Sequence, residues 1–195
     1  MNIGLRMLDS LLRHAEGIRE FSNDPQCLLR IRFVHTSQPL ELPTGRFPPG
    51  TAAIELHFWN EHIPRLPERG PDLAWGTRFM RALLLSFRLL ANYIATDAEI
   101  GSAELIGGYT ILGSGDAGPL NVNVLERLGF TVLPARSRLG SFGEFWVKLY
   151  MWWIMGGVNP QARRGRQLLR LRRLQIWMTM TDFLSRYGEP GPRRT

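Results

Sequence analysis

Residues 52–62 read Ala-Ala-Ile-Glu-Leu-His-Phe-Trp-Asn-Glu-His, and the alternation in this run decides how the chain is built. In an extended segment successive side chains point to opposite faces. Ile54, Leu56 and Phe58 then enter a core, while Glu55, His57 and Trp59 face the other way, with Asn60, Glu61 and His62 at the strand end. The spacing predicts a strand over Ala52–Trp59 with one apolar and one polar face, so a sheet is covered on one side by something apolar. The polar face carries the chemistry: a carboxylate beside an imidazole fixes its tautomer and raises its basicity, as a general base or metal ligand requires. Glu55 and His57 are thus the candidate catalytic pair. Asn60 and Trp59 are candidate substrate contacts, the indole offering a wall on which a sugar ring stacks. The plainer alternative is a solvated strand face with a surface pair of little energetic value.

Working outward, strands are expected at Leu29–His35 and Leu40–Leu42, with LPTGRFPPG as a turn, so the three strands form a small antiparallel meander. An amphipathic helix over residues 3–20 precedes them, ended by Ser22-Asn23-Asp24-Pro25. Asp72 caps a long central helix, 73–95, whose Arg78, Arg81 and Arg88 form a polar edge. Arg78 and Arg81 are further candidates for substrate binding. Short strands at Ala103–Ile106 and Tyr109–Leu112 follow, then a glycine loop, a helix at 120–127 and a strand at Phe130–Leu133. Helices at 142–155 and 160–173 lead to a strand at Leu174–Met178. Thr179 with Asp182 three residues on makes a capping box for the last helix, which Gly188 closes before a basic tail, 189–195. No internal repeat is visible. The expected architecture is one α+β domain over 1–195, with a mixed sheet, a long central helix and a helical, basic C-terminal third.

Composition bounds the function. The chain has 195 residues, a net charge of +7 and one cysteine, Cys27, which excludes an internal disulfide and a cysteine-based metal site and points to a reducing cytoplasm. Early charges break up any signal peptide, and the longest charge-free run, Leu149–Ala162, has 14 residues and is interrupted by Gly156, Gly157 and Pro160, so no membrane span is expected. His57 and His62 are five apart, and His14 and His35 are unpatterned, so no metal is expected.

The charge is one-sided. Residues 1–133 carry 12 basic and 14 acidic side chains, whereas residues 134–195 carry 12 basic and 3 acidic. Arg163, Arg166, Arg170 and Arg173 fall on one helical stripe directly after the aromatic run SFGEFWVKLYMWWIM, 141–155. Arginines favour anionic lipid, and tryptophan favours the headgroup layer, so this third is read as an anion- or membrane-binding surface of a cytoplasmic protein peripheral to the inner membrane. An aromatic core helix overlaid by a solvated basic one explains the same residues. Nucleic acid is not expected, because no helix-turn-helix, zinc finger or RNP-type motif accompanies the stripe.

Gly113-Ser114-Gly115-Asp116-Ala117-Gly118 matches G-x-G-x-x-G between a strand and a helix, and Arg136 and Arg138 follow the next strand. NAD(P) binding there is kept as an alternative. Pro119, Asn121 and Asn123 make a poor helix start, and no second βαβ half is evident, so no cofactor is expected.

Several of these runs together resemble the YkoP-like domain family. ELHFWN at Glu55–Asn60 is similar to its E-L-H-x-x-N signature, and YTILG, LERLGFTVLPA, the arginine-rich segment and LQIWMTMTDFLSRYG follow in the family's order over residues 28–188. The resemblance implies an association with polysaccharide deacetylases and glycosyltransferases, hence with cell-envelope glycans or their lipid carriers. It implies an accessory or enzymatic role in envelope polysaccharide or glycolipid metabolism, an anionic lipid or lipid-linked glycan as partner, and no residue-level mechanism. A non-catalytic scaffold at the membrane surface is the other expectation.

Overall fold

The structure is a computed structural model, and it describes residues 17–59, 61–65, 67, 72–112, 121–135 and 172–188. Its elements are β1 (Leu29–His35), β2 (Leu40–Leu42), β3 (Gly45–Phe47), β4 (Ala52–Phe58), α1 (Leu73–Ile94), α2 (Ala98–Gly101), β5 (Leu105–Leu112), α3 (Val122–Arg127), β6 (Thr131–Pro134), β7 (Arg172–Thr179) and α4 (Met180–Tyr187). Five strands form one sheet in the order β1-β4-β5-β7-β6, and β2 and β3 form a separate hairpin. Among the described strands only β4 and β5 pair in parallel; β1–β4, β5–β7 and β6–β7 are antiparallel. A parallel pair needs a crossover, and α1 with α2 supplies it. The protein is therefore α+β with a mixed sheet and one long helix.

One face of the sheet is buried under helices. Helix α1 buries Trp75, Phe79, Leu83, Phe87, Leu90, Ala91 and Ile94, a stripe at helical spacing. These pack with Leu29, Ile31, Ile54, Ile106 and Met178, the alternate residues of four neighbouring strands. Helix α4 adds Met180, Phe183 and Tyr187 to the same core, where Phe183 meets Phe87 edge-on at 5.8 Å between ring centroids. A polar anchor fixes the join: Tyr187 Oη donates to the Leu128 carbonyl at 2.7 Å. The opposite face holds a smaller cluster, in which Leu40 and Leu42 of the hairpin lie on Ala53, Leu105 and Trp177.

Caps bear out the two best-marked helix starts. Asp72 accepts from the Trp75 N–H at 2.7 Å, and Thr179 Oγ1 accepts from the Asp182 N–H at 3.1 Å while donating to its carboxylate. Elsewhere the structure corrects the expectations. The first strands are not a meander, since β1 pairs with β4 and the hairpin between them lies outside the sheet. GRF, read as part of a turn, is β3. The two short strands expected around Gly107-Gly108 are one strand, β5, held straight by an eight-residue register with β7. Residues 17–20 are not helical: Gly17 turns at φ +67°, and Arg19 bridges to Ile31 on the edge strand. Asn121, thought a poor helix start, caps α3 by accepting from the Val124 N–H at 2.9 Å. Strand β7 begins at Arg172, so residues 172 and 173 belong to the sheet rather than to a helix over 160–173.

Candidate active site on the polar face of the sheet

Glu55 and His57 stand on the face of β4 away from α1, as the alternation requires, because Ile54 is fully buried in the helix-covered core. Glu55 is opposite Arg32 on β1 and Gly107 on β5, and His57 is opposite Arg30 on β1. The register thus places two cations against a carboxylate and an imidazole. Arg32 donates to Glu55 Oε2 through Nε at 3.1 Å and Nη2 at 2.5 Å. His57 Nε2 lies 3.6 Å from the same oxygen, an ion-pair distance when the ring is protonated and too long for a hydrogen bond. That nitrogen is buried and has no hydrogen-bond partner among the described residues.

The Glu55 side chain is 9% exposed. Burial pushes its carboxyl up, but His57 and Arg32 beside it outweigh burial and hold it below the ordinary carboxylate value. The site is therefore an ionised carboxylate pinned by one guanidinium, with one imidazole nitrogen 3.6 Å from the same oxygen. The His57 side chain remains 28% exposed.

Two glycines lie beside the carboxylate on β5. A Cβ on Gly107, the residue opposite Glu55, would fall 1.9 Å from the Ile176 carbonyl oxygen and 2.7 Å from the Trp177 ring. Gly108 has φ +151°, and a Cβ there would lie 3.4 Å from Glu55 Cγ. The Trp177 indole fills the room over Gly107 and donates through Nε1 to Gln175 Oε1 at 3.1 Å.

The other expected site residues divide. Trp59 follows β4, and its ring is engaged by the protein itself: His62 stacks on it at 3.8 Å, and the Arg30 guanidinium lies over it at 4.1 Å. Arg30 also pairs with Glu20 at 2.9 Å, and His62 Nδ1 donates to the Cys27 carbonyl at 2.8 Å, so this corner ties the strand end to the start of β1. Arg78 and Arg81 are exposed on α1, which covers the other face of the sheet, and the structure does not bring them to Glu55. Asn60, Arg163, Arg166 and Arg170, the Gly113–Gly118 loop, the helix over 142–155 and the tail lie outside the described residues, as does the side chain of Arg173. Around that loop, β7 intervenes between β5 and β6, whereas a dinucleotide-binding unit sets its two strands side by side.

Arg30 and Arg32 are the participants that sequence reasoning missed. A signal was present, because LRIRFVH alternates as β4 does and sets both arginines on one face. Cys27 is fully buried with its thiol on the Leu29 carbonyl, and burial pushes that thiol up, so it is a packing residue. No group of three or more metal-ligating side chains occurs among the described residues, and no helix among them is long and apolar enough to cross a membrane.

The fold and site define an α+β sheet protein with a carboxylate–imidazole pair on its polar face. The model of the YkoP domain matches residues 4–187, and the chain belongs to that family. Comparison with curated proteins and with solved structures gives no match.

Proposed function

We propose that the protein serves cell-envelope polysaccharide or glycolipid metabolism by binding an anionic or lipid-linked glycan at the Glu55–His57 patch, with His57 available as a general base and Glu55 as its orienting group. The observation that carries this reading is a part-exposed imidazole with one nitrogen turned on a buried, ionised carboxylate. Taking a carboxylate out of water is costly, and a purely structural strand face achieves the same packing with an apolar residue. A buried charge placed beside an imidazole supports a chemical or binding role. The envelope setting is supported by the family resemblance. Arg163, Arg166 and Arg170 support a peripheral position on the inner membrane, and the family resemblance supports work beside a polysaccharide deacetylase or glycosyltransferase.

Calorimetric titration of the protein with a polyprenyl-phosphate-linked sugar in detergent tests the reading. Saturable binding that His57→Ala removes, with the unfolding midpoint unchanged, is expected. Binding that His57→Ala leaves intact moves the function to a scaffold role elsewhere on the chain, and absence of binding ends the glycan reading. Co-sedimentation with vesicles containing anionic lipid, compared with neutral vesicles, tests the membrane position separately.

A further inference from the structure

The Glu55–His57 patch has a polarity of its own. Among the described residues the contacts of the Glu55 carboxylate all go to Oε2, which Arg32 engages twice and His57 Nε2 approaches to 3.6 Å. Among the described residues neither Glu55 Oε1 nor His57 Nδ1 has a hydrogen-bond partner. Because Nε2 is the buried nitrogen of the ring, Nδ1 is the one on its exposed side. In the tautomer that sets Nε2–H toward the carboxylate, Nδ1 bears the lone pair. The remaining polar atoms of the Glu55–His57 pair itself are then both acceptors, with the part-exposed N–H groups of Arg32 beside them.

The cations of the patch do not reverse this. The Arg32 charge faces Glu55 at hydrogen-bond distance, and Arg30 is paired with Glu20 at 2.9 Å and laid over Trp59. An anionic group brought to Oε1 and Nδ1 would meet two acceptors, with the nearby positive charge already opposed by Glu55 and Glu20. A hydroxyl group brings the donor that each atom requires. We propose that the Glu55–His57 patch takes the uncharged hydroxyl edge of a sugar, neighbouring hydroxyls donating to Glu55 Oε1 and His57 Nδ1, and that any anionic part of the same ligand lies off this patch. The inference rests on the glycan reading above and adds the ligand's orientation.

The test needs no variant in its first step. In the full chain labelled with 15N at histidine, long-range 1H–15N spectra report which imidazole nitrogen carries hydrogen; His57→Gln assigns the signals. The protein is titrated separately with N,N′-diacetylchitobiose, with the anomeric phosphate of that disaccharide and with inorganic phosphate. The free protein is expected to carry hydrogen on His57 Nε2. Both sugars shift the Nδ1 signal, with dissociation constants within about threefold of each other, and inorganic phosphate leaves it in place. Glu55→Gln weakens both sugars by roughly tenfold or more, because it loses a charged acceptor. Hydrogen on Nδ1 in the free protein overturns the inference. So does a shift of Nδ1 by phosphate alone, or a sugar phosphate that binds while the neutral disaccharide does not; the glycan reading survives those results. If neither sugar binds, the glycan reading falls and this inference falls with it.

Discussion

The two faces of the central sheet are built from the same strands and obey different rules. On the helix-covered face, Leu29, Ile31, Ile54, Ile106 and Met178 pack into the core of α1 and α4, and shape is what each position must satisfy. On the other face, Arg30, Arg32, Glu55 and His57 replace apolar residues at the same levels of β1 and β4, and charge and hydrogen bonding must be satisfied there. Strand alternation makes this division unavoidable, since a slip of one residue would drive Glu55 into the aliphatic core and Ile54 into the ion pair. The contrast separates what holds the fold from what is free to act. The apolar face supplies stability, and the polar face carries a pair whose removal should cost much less.

The largest effect is expected on the apolar face. Phe183 is fully buried and contacts Phe87 and Tyr187. Phe183→Ala should destabilise the protein by about 3–5 kcal/mol, read as a lower denaturant midpoint with an unchanged slope. A loss below about 1 kcal/mol would mean that the α4 contact with the sheet is not part of the main core, and the contrast of the faces would collapse. Gly107→Ala comes next. Its Cβ would meet backbone, the Ile176 carbonyl, at 1.9 Å, so β5 and β7 must part and the floor beside Glu55 must move. About 1–3 kcal/mol or somewhat more is expected in thermal unfolding. A neutral substitution would show that the strands separate freely at this level.

The apolar face was legible in the sequence and the polar face only half so. The stripe from Trp75 to Ile94, the Asp72 cap and the Thr179–Asp182 box are local patterns, which a sequence states directly. The alternation around Glu55 and His57 is local too. What pairs with them is not, because Arg32 lies 23 residues from Glu55 and reaches it only through the register of β1 on β4. Strand order was hidden for the same reason: β7 inserts between β5 and β6 from a distant part of the chain. Gly107 and Gly108 misled in a specific way. Two glycines suggest a break, yet here they keep β5 continuous by leaving room for the Ile176 carbonyl, the Trp177 ring and Glu55 Cγ.

A moderate effect is expected at Glu55, with a pH signature. The carboxyl's folded-state value is depressed, so its contribution is fully present above its unfolded value, near the reference 4.5, and is lost as pH falls through the lower folded value. Glu55→Gln should cost about 2 kcal/mol at neutral pH, less than for a sealed pair because Arg32, 30% exposed, regains water. The gap between wild type and variant should hold constant from neutrality down to about that reference value and narrow below it. Denaturant unfolding of both proteins across that range checks the sign. A gap that widens in acid would mean that the carboxylate is not held by Arg32 and His57.

The smallest stability effect is expected at His57, and there the contrast is sharpest. Its Nε2 makes no hydrogen bond among the described residues, its ring is 28% exposed, and the Glu55 carboxylate retains Arg32 when the ring is gone. His57→Ala should therefore change unfolding free energy by less than about 1 kcal/mol while removing ligand binding at the patch. If the ring were a packing element, the ordering would invert: the midpoint would fall by several degrees and binding would fade only in proportion to the unfolded fraction. Unfolding and binding measured on the same preparation decide between the two. A residue that contributes little to the fold beside one that keeps a buried charge is what a site, rather than a strut, requires.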